Sequence, residues 1–397
     1  MEPLPLADIR VIDLTNVLAG PYCSYQLGLF GAEVIKIERP GTGDLARHLG
    51  PDPMLNERGR GASFLAQNAG KKSIELDLKA PDDRAAFEDL VRNADVLLEN
   101  FRAGVMDRLG YGWDDLKLLN PGLIYCSITG FGQTGPDSQA PAYDQIVQGL
   151  SGMMSINGTD DSGPLRIGFP VCDTVGGLMA AFAISSALAG RRQGAGGVHL
   201  DVSMLESALS AMGWAVSNYA VSGVEPTPMG DQNPTAAPSG TFHAADGPLN
   251  IAANRQTQYE TLCRIIERPD LVDDDRFCTR ERRKANRSEL NAEINSALSA
   301  RSAALWEKEL AAAGVPAARI LTVAQATELE QLRHREFFHE VEIPAESGRS
   351  FLASGNGVLM NRRSLGPSGP PPLLGEHNPE LPRLRARRHT VASRPIS

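Results

Sequence analysis

Asp8-Ile-Arg-Val-Ile-Asp-Leu14 is followed by Thr15-Asn-Val-Leu-Ala-Gly-Pro21, by Tyr22-Cys-Ser-Tyr-Gln-Leu-Gly-Leu-Phe-Gly31, and then by Glu33-Val-Ile-Lys-Ile-Glu38. The first and last of these runs are short and rich in β-branched residues, as strands are. Gly20 and Pro21 mark a turn, and Tyr22–Gly31 carries helical spacing. Strand, helix, strand in that order predicts a parallel pair joined by a right-handed crossover. Further strands are predicted at Ser73–Leu78, Asp95–Glu99 and Leu123–Thr129, with a helix over Pro81–Asn93. This alternation, continued to about residue 200, predicts an open parallel α/β sheet of Rossmann-like type.

Outward from that unit the chain is long, at 397 residues. At ~150 residues per domain that is two or three domains. Hydrophobic residues at 42% and charged residues at 22% are ordinary globular values and exclude a mostly disordered chain. The formal net charge of −9 argues against nucleic acid as a partner, so an anionic ligand must meet a local cluster of cations. Met1–Asp8 lacks the basic and apolar runs of a secretory signal. The longest apolar helical candidate, Val175–Gly190, is short for a bilayer span, so no membrane partner is expected. Five cysteines, an odd number with no CxxC pair, predict reduced thiols and a cytoplasmic location. The seven scattered histidines, with His334 and His339 five apart, predict no metal site.

After Leu205 the pattern changes. Residues 206–238 begin helical and become rich in Gly, Pro and Thr, as a linker does. A second α/β section is predicted from Gly240–Ala253 and helices near Gln256–Arg268, Ser288–Ser299 and Ala303–Ala313, with Val315–Leu329 as a return crossing. The tail carries Arg383, Arg385, Arg387 and Arg388, a solvated terminus or a contact for an anionic partner.

Three stretches carry chemistry. Gly130-Phe-Gly-Gln-Thr-Gly135 matches GxGxxG after a strand, but Pro136 follows where the dinucleotide fingerprint needs a helix, so a structural glycine loop is favoured over a nicotinamide site. Arg39 ends the second strand, where a Rossmann-like sheet meets a ribose, and an arginine there suits the 3′-phosphate of coenzyme A as well as the 2′-phosphate of NADP. Leu165-Arg-Ile-Gly-Phe-Pro-Val-Cys-Asp173 leads into an apolar helix. Asp173 reads either as an ordinary N-cap or as a carboxylate kept ionised by the helix dipole and competent as a nucleophile towards an acyl group. Gly176 and Gly177 would let a ligand approach the backbone.

Together with Val11–Pro21, Gly31–Arg39, Lys71-Lys-Ser-Ile-Glu-Leu-Asp-Leu78, Asp95–Phe101, Ala142-Tyr-Asp144 and Leu374-Gly-Glu-His377, these motifs resemble the class III CoA-transferase family, which includes formyl-CoA transferase, carnitine CoA-transferase and α-methylacyl-CoA racemase. The resemblance implies coenzyme A as part of an acyl-CoA substrate, with no metal and no nucleotide redox cofactor. It implies Asp173 as the nucleophile, passing through an aspartyl-acyl anhydride and an aspartyl-CoA thioester. CoA contacts carry over to Leu18 and Ala19, Arg39, Leu76, Asp77, Leu78 and Lys79, Asn100, Phe101, Arg102 and Arg108, and to Ala142, Tyr143 and Asp144. The implied architecture is an interlocked homodimer. Its Rossmann-like large domain is built from residues 1–205 and 340–397, its small α/β domain from 239–322, and its linkers from 206–238 and 323–339.

Within the resemblance, the racemase branch carries Gly-His-Asp where this chain has Ala142-Tyr143-Asp144, and a tyrosine is a poor base for an α-proton. The transferase branch is therefore favoured, with an NADP oxidoreductase or a non-catalytic CoA-binding protein as readings of other classes. Leu18 stands where formyl-CoA transferase has glutamine, which argues against a formyl or oxalyl group. The family's glycine-rich lid has no match, and Gly314–Arg319 departs from its usual return segment. Succinyl-CoA as donor and a small, preferably dicarboxylic, acid as acceptor are expected, the acid being held by donors such as Asn233 and Ser239.

Overall fold

The computed structural model describes residues 3–386, so Arg387 and Arg388 of the basic tail lie outside the described residues. The chain forms two compact units. The first takes the described residues up to Met153, Arg166–Val224, and those from Glu330 onward; the second takes Met154–Leu165 and Glu225–Leu329.

In the first unit six strands make one sheet: β1 (Arg10–Asp13), β2 (Glu33–Glu38), β3 (Lys72–Glu75), β4 (Val96–Glu99), β5 (Ile124–Thr129) and β6 (Val198–Ser203). Their order is β3-β2-β1-β4-β5-β6 and every pairing is parallel, with Val11 opposite Val34 on one side and Val96 on the other. Parallel strands must be covered on both faces, and the alternation of apolar side chains provides for that. Val11, Val34, Leu98 and Cys126 face one core with α1 (Ala19–Leu29) and a long helix, Val171–Arg192. Ile12, Ile35, Ile74 and Leu97 face the other with α2 (Pro81–Arg92) and α3 (Trp113–Leu119). The first helix starts three residues before its predicted position, because Pro21 is tolerated in a first turn whose amides have no partner.

Strand β3 is the sheet edge, and the C-terminal segment covers it. His377 N–H donates to Ser73 O at 3.0 Å, and Lys72 pairs with Glu380 at 2.8 Å. Arg385 pairs with Asp89 on α2, so this part of the basic tail is tied to the first unit itself.

Helix α4 (Asp144–Leu150) precedes the long helix α5 (Val171–Arg192), and α6 (Met204–Ala211) and α7 (Gly213–Ser222) follow β6. At 22 residues α5 corrects the sequence expectation, since its length and composition do suffice to cross a membrane. Here Cys172, Ala180, Ile184 and Leu188 are buried in the sheet core, while Leu178, Met179 and Phe182 are exposed.

The second unit has an antiparallel three-stranded sheet of β7 (Ser239–Ala244), β8 (Gly247–Ala252) and β9 (Ala317–Arg319). Helices α8 (Gln256–Ile265), α9 (Arg280–Ala285), α10 (Arg287–Leu298) and α11 (Ala303–Ala312) complete it, and Phe242, Leu249, Tyr259, Ile294 and Trp306 form its separate core.

Candidate active site

A 3-2-1-4-5-6 order reverses direction between β1 and β4, and ligands of such sheets bind outside the carboxyl ends of the strands at that point. A cleft of about 300 Å³ lies there. It is lined by Leu14, Thr15 and Asn16 after β1, Glu38 and Arg39 at the end of β2, Leu76, Asp77, Leu78 and Lys79 after β3, and Phe101 after β4. Six of the residues expected at coenzyme A therefore share one cleft. Arg39 and Lys79 are exposed and have no ion-pair partner among the described residues.

The neighbouring turns place the other expected residues. Asn100 spends its side chain inside the chain, for its Oδ1 accepts from Asn16 N–H and its Nδ2 donates to Asn16 O, both at 2.8 Å. Val17 then adopts φ +67°, a strained conformation for a β-branched residue, with its N–H donating to Asp44 Oδ1 at 3.0 Å. Leu18 is the N-cap position of α1, and Ala19 is buried behind it. Arg102 and Arg108 are exposed, again with no ion pair among the described residues.

Beneath the cleft lies a set of charges to which the sequence reading gave no role. Asp13 is fully buried and accepts from Thr15 and Ser24, with Lys71 Nζ at 3.2 Å. Burial alone would push its carboxyl up, but Lys36 and Lys71 beside it hold it well below the usual range. Lys36 pairs with Asp44 at 2.9 Å, and Arg47 grips both Glu38 oxygens at 2.7 and 2.8 Å. Burial brings Lys71 down to about 8 despite Asp13. The signal was present in the sequence: Asp13 ends the Val11–Ile12 run of β1, and Lys36 sits between the isoleucines of β2.

Asp173 is not the N-cap of α5. Pro170 holds that position, and Asp173 is the third residue of the helix. The capping carboxylate comes from Asp144, whose Oδ1 accepts from the amides of Cys172 at 2.8 Å and Asp173 at 3.4 Å, while Oδ2 accepts from Gln148 Nε2 at 2.7 Å. Burial, and then the Asp144 carboxylate, push Asp173 up to about 7. Desolvation and this like charge thus act against the helix dipole expected to keep it ionised.

The two glycines also serve a purpose other than the one expected. A Cβ on Gly177 would lie 2.5 Å from Ala19 O, and one on Gly176 would lie 3.1 Å from Met204 Cγ, so both permit helix packing, not ligand approach. As crossovers on a parallel sheet, α1 and α5 run parallel to each other. Asp173, one turn before Gly177 on the same face, therefore stands level with the turn that carries Leu18. Tyr143 precedes α4 and is 72% exposed. Ala142 packs on Gly130, where a Cβ would come within 2.2 Å of it, and no helix opens on Gly135, the next being α4. The glycine loop thus lacks the dinucleotide geometry.

In the second unit, Asn233 Oδ1 accepts from Thr235 N–H at 2.8 Å and Thr235 Oγ1 at 2.9 Å, and Ser239 is buried at the start of β7. Three arginines that the sequence reading passed over hold this loop by its carbonyls. Arg280 donates to Thr235 O, Arg283 to Ala237 O, and Arg287 to Asn233 O and Ala236 O. Arg280 and Arg283 lie three apart on α9, and Arg287 opens α10.

Comparison with known proteins places the chain. The family described as CoA-transferase family III matches residues 6–378. An acetyl-CoA:oxalate CoA-transferase of Acetobacter aceti is 40% identical over 94% of this chain and 90% of its own length. A succinyl-CoA:mesaconate CoA-transferase of Haloarcula hispanica is 39% identical over 95% of each. The crystal structure of a CAIB/BAIF family protein from Brucella suis superposes with a TM-score of 0.86 at 34% identity, covering 97% of this chain and 100% of that one. These relatives carry transferase names and not racemase names, and this protein is an enzyme of CoA-transferase family III.

Proposed function

We propose that the enzyme moves CoA from succinyl-CoA to a small dicarboxylic acid, with Asp173 as the covalent carrier. The observation that carries the reading is a carboxyl group, pushed up to about 7, in the first turn of α5. That helix packs through Gly177 on Ala19, the first residue of α1, at the edge where a cleft of about 300 Å³ gathers the residues expected at CoA. In its ionised form Asp173 attacks the thioester carbonyl. The C–S bond breaks, and an aspartyl-acyl anhydride and CoA thiolate result. The thiolate then attacks the aspartyl carbonyl, releasing the donor acid and leaving an aspartyl-CoA thioester. The acceptor carboxylate repeats the sequence in reverse, and CoA leaves on the new acid. Each intermediate would hydrolyse in water, so the chemistry requires a site that excludes it.

Arg39 and Lys79 would meet the phosphates at the adenosine end, with Arg102 and Arg108 towards the diphosphate. Tyr143 would donate to the developing oxyanion. Relatives named for oxalate and mesaconate support a dicarboxylate acceptor and return oxalate to the panel despite Leu18.

The same reading includes a cytoplasmic homodimer. Phe182 on α5 is 70% exposed, and Trp214, at 84%, Tyr219 and Val221 are exposed on α7, large apolar side chains that a second copy would cover. Sedimentation should give a dimer, and a stable active monomer would overturn that part. The test of mechanism is hydroxylamine trapping: incubation with succinyl-CoA should leave a hydroxamate on Asp173, found by peptide mass spectrometry. Full transfer activity in Asp173→Ala would end the covalent reading.

A further inference from the structure

Helix α4 carries its residues in an inverted pattern. Ile146 and Leu150 are exposed, whereas Gln148 is fully buried. A buried amide costs desolvation that an apolar side chain would not, so its hydrogen bonds indicate what it is for. Nε2 donates to Asp144 Oδ2 at 2.7 Å and lies 3.4 Å from Phe169 O. Oε1 accepts from Ile167 N–H at 2.8 Å. One side chain therefore holds both the carboxylate that caps α5 and the irregular stretch, 167–169, that leads into that helix.

From this geometry we infer that Gln148 is a positioning residue for the nucleophile. It fixes the Asp144 carboxylate with one oxygen towards the first amides of α5, and so sets where the Asp173 side chain stands when it attacks. The inference rests on the proposed role of Asp173. Asp144 could accept from Cys172 and Asp173 without help, but its carboxyl would then be free to turn about its own bond, and the 167–169 stretch would lose its anchor. A displacement of about 1 Å at a reacting atom is enough to cost ~100-fold in rate. The titratable groups that face Asp144 here are Asp173 and the Cys172 thiol. Neither is a cation that could replace the amide of Gln148 as a partner for Oδ2.

Two substitutions test this. Gln148→Met keeps the volume and removes all three bonds. Gln148→Glu keeps an acceptor for Ile167 but places an acid beside Asp144. Gln148→Met should lower kcat roughly thirtyfold or more while leaving the KM for succinyl-CoA and the affinity for free CoA within about twofold, as expected for misplacement of the nucleophile alone. Gln148→Glu should move the acid limb of kcat/KM up by about one pH unit or more, because a further negative charge disfavours ionisation of Asp173. Parent kcat in Gln148→Met, or an unmoved acid limb in Gln148→Glu, would overturn the inference. So would loss of the fold in both variants, since Gln148 would then be structural; if only Gln148→Met fails to fold, Gln148→Glu decides. Asp173→Ala measured in parallel separates the two levels. An active Asp173→Ala sinks the nucleophile itself, whereas a dead Asp173→Ala beside an unaffected Gln148→Met sinks only the positioning role.

Discussion

Replacing Asp173 by asparagine should stabilise the protein while ending transfer. An aspartate in an unfolded chain titrates near 3.8, whereas burial and then Asp144 push Asp173 up to about 7 in the fold. Between those values the folded chain holds a proton that the unfolded chain has lost, so stability falls as pH rises from about 4 to about 7, and the loss is complete above that range. A shift of about three units corresponds to ~4 kcal/mol. Because the group is coupled to Asp144, the share recovered by removing one charge is about 2–4 kcal/mol. At ~2.1 cal/mol/K per residue, a chain of this length should gain about 2–5 °C in Tm. Thermal unfolding of the parent and Asp173→Asn at pH 8 should show that gain, and at pH 4 the two curves should coincide. If Asp173 capped α5, asparagine would cap it nearly as well and no gain in Tm would appear. A lower Tm at pH 8, or a gain that does not fade towards pH 4, would refute the electrostatic account.

The other predictions concern the same unit. Transfer measured as kcat/KM should rise with pH through about 7 as Asp173 ionises, and a profile flat from pH 5 to 8 would count against the assignment. Arg39→Ala should weaken binding of CoA about tenfold while leaving dephospho-CoA unchanged, and calorimetry with the two ligands would show an equal loss if Arg39 does not meet the 3′-phosphate. Asn100→Ala removes both bonds to Asn16 and should cost about 1–3 kcal/mol in denaturant unfolding, with CoA affinity reduced because the β1–α1 turn loses its clamp.

The sheet was legible because its signals are local. β-branched runs at 10–13, 33–38, 96–99 and 124–129 are separated by stretches of helical spacing, and the parallel order follows from that alternation. Arg39 was legible from its place at the end of a strand, whereas residues 76–79 entered only through the family resemblance, and the structure lines one cleft with all of them. What could not be read depends on groups far apart in the chain. Asp173 was taken as a possible cap because acids favour helix starts, yet the acid that caps α5 lies 29 residues earlier. The Gly176-Gly177 pair has the same local signature whether a ligand or another helix approaches, and only the position of Ala19 decides between them. The assignment of residues 154–165 to the second unit carries no compositional mark at all.

The charges explain how a chain of net charge −9 can offer a site to a polyanion. In the layer below the cleft these buried charges answer one another: Asp13 by Lys36 and Lys71, Asp44 by Lys36, Glu38 by Arg47. Such pairs are strongly destabilising to break one-sidedly, because the surviving charge stays buried. Their net field above the strand ends is small, since each sign is matched within a few ångströms. Around the strand ends, Arg39, Lys79 and Arg102, one to four residues beyond a strand, and Arg108 on the helix after β4 have no ion-pair partner among the described residues. They are solvated and individually weak, but a ligand with a 3′-phosphate and a diphosphate can contact several at once. On the proposed reading, the buried network keeps the turns rigid and electrically quiet, and the rim supplies the attraction. Affinity for CoA should accordingly fall with salt while Tm barely responds, because the rim is screened within a Debye length of ~10 Å and the buried pairs are not.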